Sequence, residues 1–175
     1  QTYKDSREKV FDPYHDNLST PPISDKLEAP ACVRFGDAVL IDALSMDHMK
    51  WFRNHFHDTK IIVSALGGHS DGVFCPVKPR LIVTTYDYKE HFADTIFRGW
   101  EIVYTESVFD VNMLVLDQHN VVVSSHNEKI FNTFKKHKIE PIICNFRHRW
   151  FWDGGLHCNT LDIRREGEKQ RYLNY

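Results

Sequence analysis

Three short runs of aliphatic, mostly β-branched residues, each led by a turn signal, punctuate the chain: GDAVLID from Gly36, KPRLIVTT from Lys78 and QHNVVVSS from Gln118. Each has the form of a hairpin's second strand. Behind each lies a stretch with aromatic or aliphatic residues near i, i+3, i+4 spacing, namely MDHMKWFRNHF, YKEHFADTIFRG and NEKIFNTFKKH. That spacing predicts amphipathic helices. A further apolar run closes each unit, KIIVSAL, EIVYTE and IEPIICNF, and ACVRF, GVFCPV and NMLVLD stand before the hairpin turns as first strands. The unit therefore reads strand, turn, strand, helix, strand, and it recurs about every 40 residues. Such a period predicts stacked or radially arranged supersecondary modules. GLHCNTLDIRR remains as the strand of a last, incomplete module.

Composition narrows the class. At 175 residues and 42% hydrophobic the chain is long enough to bury a core of about one domain. Residues 1–30, with Pro13, Pro21, Pro22 and Pro30, show no periodicity and read as an extended N-terminal arm before a domain over 31–175. With 22 basic against 24 acidic side chains the charge balance argues against a nucleic-acid partner. No apolar run approaches the roughly 20 residues that cross a bilayer, and the polar start is not a signal peptide, so no membrane association is expected. Four cysteines without C-x-x-C spacing fit a reducing compartment, and a cytoplasmic location is the expectation.

Candidate chemistry gathers at two glycine pairs in equivalent places of the repeat, Gly67-Gly68 before His69 and Gly154-Gly155 before His157-Cys158. Glycine there permits φ > 0 and close approach of a ligand, and it equally suits a plain turn. The residues alone leave three roles for Cys158. It is a nucleophile if His69 or nearby polar atoms stabilise the thiolate, a zinc ligand with Cys144, His148 and His157, or a small buried hydrophobe. On a strand His157 and Cys158 would point to opposite faces, which disfavours zinc.

The strings VRFGDAVLID, MKWFRNHF, GGHSDGVF, NMLVLD, DGGLHCNTLDIRREG and QRYL together resemble the C-terminal part of the arginine:glycine amidinotransferase family. The signature GG-x-H-C-x-T-x-D-x-R-R-x-G, Gly154 to Gly167, is the most specific of them. The resemblance implies an α/β fold of ββαβ modules from a five-bladed β/α propeller, the pentein superfamily, here incomplete with three modules and part of another. It implies an amidinotransferase-like enzyme in which Cys158 attacks the guanidinium carbon of an arginine-like donor and forms a covalent amidino-thioether. His69 would act as general acid/base, and Asp71, on the same strand face, would accept hydrogen bonds from the guanidinium. Asp110, Gly68, Gly155 and Asn112 would complete the substrate-binding set. No metal and no organic cofactor is implied.

Three departures stand against it: Ala31 replaces an expected guanidinium-binding aspartate, Asp110 an expected serine, and Tyr88 an expected carboxylate-binding arginine. An amidinotransferase acting on a guanidino substrate and an amine acceptor is the leading expectation. The alternatives are a deiminase-type hydrolase of the same superfamily and a catalytically degenerate structural or interaction module. Because an incomplete propeller exposes strand edges, a homo-oligomer or a separate N-terminal chain is the expected partner.

Overall fold

The computed structural model describes residues 29–42, 46–66, 69–85, 96–146, 154–160 and 170–173. The N-terminal arm up to residue 28, Gly67, Gly68, Tyr88, most of the second predicted helix, the Trp150-Phe151-Trp152 cluster and Arg164-Arg165 lie outside these residues. Ala29 and Pro30 already belong to a single 3-10 turn, Ala29–Ala31.

Among the described residues nine strands form three three-stranded sheets of one design. The first holds β1 (Cys32–Phe35), β2 (Ala38–Asp42) and β3 (Lys60–Ser64). The second holds β4 (Phe74–Lys78), β5 (Leu81–Thr84) and β6 (Glu101–Tyr104). The third holds β7 (Leu114–Val115), β8 (Asn120–Val123) and β9 (Glu140–Ile143). In each sheet the first pair is antiparallel and the second parallel. A parallel pair needs a crossover. Helix α1 (Met46–His55) supplies it in the first sheet and α3 (Glu128–Lys136) in the third, with the one-turn helix α2 (Val108–Val111) falling between β6 and β7. The first and third sheets with their helices are the repeated ββαβ modules expected from the periodicity, and the second repeats the sheet, most of its predicted helix lying outside the described residues.

Helix α3 starts where Asn127 Oδ1 accepts the Ile130 N–H at 3.2 Å. Ile130 and Phe134, one turn apart, face the core and are buried. Lys135 and Lys136 occupy the last turn, where the helix dipole favours cations. A left-handed residue, Lys138 at φ 56°, then turns the chain into β9, and Gly99 at φ 77° occupies the equivalent place two residues before β6.

The middle sheet explains why LIVT shows no polar alternation. Ile82, with Phe74, joins Phe35 and Leu40 in one core. Its neighbours Leu81 and Val83 point the other way, joining Met113, Val121 and Phe134 in a second. Both faces of the sheet are buried, so every position on β5 is apolar or internally bonded. A segment the periodicity did not assign completes the first core. Gln170–Leu173 returns to the first module, with Tyr172 N–H donating to Asp37 Oδ1 at 3.0 Å and its ring packed edge-on against Phe35. Gly36, at φ 55°, must be glycine because a Cβ there would run into Gln170 O and the Tyr172 ring.

Candidate active site

Three segments from different modules meet where the first and second modules approach the third. Asp71 comes from a 3-10 turn, Ser70–Gly72, that lies between β3 and β4. Asn112 caps α2, its N–H bonded to Val108 O at 2.8 Å. Cys158 belongs to a turn that follows Gly154-Gly155. Two expectations are corrected here. Asp71 sits on a helical turn and not on a strand face, and residues 154–160 form a turn and coil and not the strand the sequence pattern suggested.

The turn changes what Cys158 touches. Its Sγ lies 3.2 Å from Asp71 Oδ2 and 3.0 Å from Asn112 Nδ2, and its N–H donates to Asn112 Oδ1 at 3.0 Å. Asn112 is buried, and its second Nδ2 hydrogen goes to Asp71 O at 3.1 Å. Its main-chain carbonyl accepts from Leu156 N at 3.0 Å and His157 N at 3.3 Å, so one residue holds the whole turn. Gly155 lets the backbones approach: a Cβ there would lie 2.6–2.8 Å from Asn112 Oδ1, Cβ and O. At Gly154 a Cβ would crowd Cys158 Cβ at 2.9 Å.

The electrostatics follow from Asp71. Burial alone would raise its carboxyl, but hydrogen bonds from His157 and Cys158 and the charge of His157 outweigh burial and hold it below the ordinary value. The Cys158 thiol is raised, first by burial, then by the Asp71 charge and its hydrogen bond to that carboxylate; the Gly155 backbone and Asn112 amide act in the opposite direction. Cys158 is nonetheless exposed, unlike Cys75, which burial and then the Asp71 charge push up to about 12. All four cysteines are free thiols. Asp71 Oδ1 is buried and has no hydrogen-bond partner among the described residues. An acceptor stranded in that way is costly unless something supplies a donor.

Of the residues singled out in the sequence, Cys158, Asp71, Asn112 and Gly155 converge. His69 is exposed at the entry to the Asp71 turn. The ring bonded to Asp71 is that of His157, Nδ1 to Oδ2 at 3.1 Å. His157 was singled out in the sequence, but only a zinc-ligand role was weighed for it, because a strand assignment sends it to the face opposite Cys158; the missing hydrophobic alternation in L-H-C-N-T was the available signal for the turn. Asp110 Oδ2 accepts from Thr105 Oγ1 at 3.0 Å and Asn127 Nδ2 at 2.7 Å. Ala31, where an aspartate was expected, abuts the site: its carbonyl accepts from Ser70 Oγ at 3.3 Å. Among the described residues no three His, Cys, Asp or Glu side chains are arranged to hold a metal ion, and no helix is long and apolar enough to cross a membrane.

The repeated ββαβ sheets are the fold of the five-bladed β/α propellers, the penteins, of which the described residues hold three sheets. In sequence the chain is similar to amidinotransferases. It is 26% identical to the L-arginine:L-lysine amidinotransferase of Pseudomonas savastanoi pv. phaseolicola, over 90% of this chain and 49% of that protein. It is 28% identical to the mitochondrial glycine amidinotransferase of Xenopus laevis, over 71% and 34% respectively. The chain thus spans half or less of the length of these curated relatives. Among solved structures, the SxtG amidinotransferase of Microseira wollei superposes with a TM-score of 0.67 at 23% identity, covering 82% of this chain and 49% of that one. A dimethylarginine dimethylaminohydrolase superposes at 0.57 and 14% identity, covering 75% and 58%. No family model matches the chain.

Proposed function

We propose that this chain carries the nucleophile-bearing part of an amidinotransferase site acting on an arginine-like donor. The observation that carries the reading is Asp71: a buried carboxylate with one oxygen on the Cys158 thiol and the other without a partner among the described residues. A guanidinium presents paired N–H donors in a plane, and such a fork is the donor set that Oδ1 lacks.

At rest the thiol is protonated, held so by burial and the neighbouring negative charge. A guanidinium seated on Asp71 offsets that charge and eases loss of the thiol proton. The sulfur then attacks the guanidinium carbon. The C–N bond to the leaving amine breaks as that nitrogen gains a proton, and an amidino-thioether remains on Cys158. In the second half an acceptor amine loses a proton, attacks the same carbon, and the C–S bond breaks to restore the thiol. His69, at the mouth of the Asp71 turn, is the general acid/base of both halves, and Asn112 Nδ2 steadies the sulfur. Glycine and lysine, which name the relatives' reactions, are the acceptors to try. The four free thiols suit an intracellular setting.

A hydrolase is the second reading, favoured by the superposition on a dimethylarginine dimethylaminohydrolase. It shares the first half, with water replacing the amine. Incubation with labelled arginine followed by mass spectrometry tests both. An amidino adduct on Cys158, discharged by glycine or lysine, supports transfer, and discharge to free product by water alone supports hydrolysis. A folded, self-associated chain that gives no adduct marks a degenerate module.

A further inference from the structure

Asp71 Oδ2 is shared. Cys158 Sγ stands 3.2 Å away on one side and His157 Nδ1 3.1 Å away on the other. A carboxylate oxygen offers only lone pairs, so both neighbours donate, which puts a hydrogen on Nδ1 of the imidazole. The two donors are consecutive residues of one turn and are placed together by the Asn112 carbonyl. The ring is 43% exposed while the Asp71 side chain is 2% exposed, so His157 joins a buried charge to solvent.

We propose that His157 is a positioning residue for the Cys158 site. It holds Asp71 Oδ2, which fixes the carboxylate's rotation and leaves Oδ1 for the substrate, and it disperses the charge that opposes thiolate formation on Cys158. This rests on the reading of Cys158 as the nucleophile. The titratable groups around the shared oxygen among the described residues are His157 and Cys158 on the turn, Cys75 on β4, which feels the Asp71 charge, and His69 two residues before Asp71. Removing the ring strips one donor from the carboxylate, concentrates its charge on the sulfur and frees the side chain to rotate.

The test is the pH dependence of Cys158 alkylation by iodoacetamide in the full chain, read thiol by thiol by mass spectrometry. His157→Ala should move the midpoint upward and slow alkylation at pH 8 by about threefold or more. His157→Asn, whose amide N–H falls where Nδ1–H was, should restore the wild-type profile. In an Asp71→Asn background, removing His157 should change the rate less than about twofold, because the partner through which it acts is gone. An unmoved midpoint in His157→Ala, or an equal shift in the Asp71→Asn background, overturns the proposal. Should His157→Ala fail to fold by circular dichroism, His157→Gln, which reaches past the Nδ1 position, makes the same comparison against His157→Asn. An arginine adduct on wild type with an unmoved midpoint sinks this inference alone. A shifted midpoint without any adduct sinks the functional reading alone.

Discussion

Asn112 grips Cys158 with both ends of one amide: Nδ2 lies 3.0 Å from the sulfur and Oδ1 3.0 Å from the cysteine's own N–H. With its second hydrogen on Asp71 O, this buried side chain spends its donors and an acceptor on two residues of the site. Asn112→Ala leaves the Cys158 N–H and the Asp71 carbonyl without that partner, at a cost of about 1–3 kcal/mol. Urea titration should record the loss. A change under about 0.5 kcal/mol would show that the amide does not clamp the turn.

Asp71→Asn should split two reactivities of one sulfur. The carboxylate's charge raises the Cys158 thiol, so its removal lowers it and quickens alkylation by neutral iodoacetamide several-fold. Capture of a guanidinium loses its counter-charge, and the adduct from arginine should drop by on the order of a hundredfold. Rates that move in the same direction contradict the assignment of Asp71. The stability of wild type also carries its mark. The folded carboxyl is lower than its ordinary 3.8, so this contribution is present above that value and fades as pH falls below it, and Asp71→Asn should lack that acid limb.

The two glycines near Asp71 should respond differently to a methyl group. Gly155→Ala drives a Cβ to within 2.6–2.8 Å of Asn112 atoms and should cost about 1–3 kcal/mol while displacing the cysteine turn. Gly72→Ala meets nothing within 4 Å and should stay within about 0.5 kcal/mol of wild type. Thermal melts of the pair settle the contrast, and equal losses would refute the packing of Gly155 on Asn112.

Alkaline conditions should expose a different thiol. Cys75 is raised by burial, and then by Asp71, from 9.0 to about 12. A group raised on folding stabilises below its unfolded value and loses that contribution as pH climbs toward the folded one. The unfolding free energy should therefore decline between pH 9 and 12, and Cys75→Ala should decline less steeply over the same interval. Parallel slopes for the two proteins would exclude Cys75 as the cause.

The modules were legible because their signals are local: a turn residue, a β-branched run, a helix with Ile130 and Phe134 one turn apart. The site was legible only in part. Ser70–Gly72 is a single turn of three residues, too short for any periodicity to register, and the strand face expected for Asp71 came from the resemblance alone. Assigning Leu156–Thr160 to a strand separated His157 from Cys158, whereas the turn brings both onto one carboxylate oxygen. The resemblance put Asp110 in the binding set, where the family has a serine; Thr105 and Asn127 hold its Oδ2. That partnership lies in tertiary packing, and no spacing along the chain encodes it.

Tyr172 is bonded to Asp37 across 135 positions of the chain. During synthesis Phe74 and Phe97 reach the Phe35 ring first, but the flank that Tyr172 covers stays open until some 135 residues after Asp37 have been added. Handling of the nascent chain by chaperones, more than chemistry at the cysteine, is where that delay should be felt.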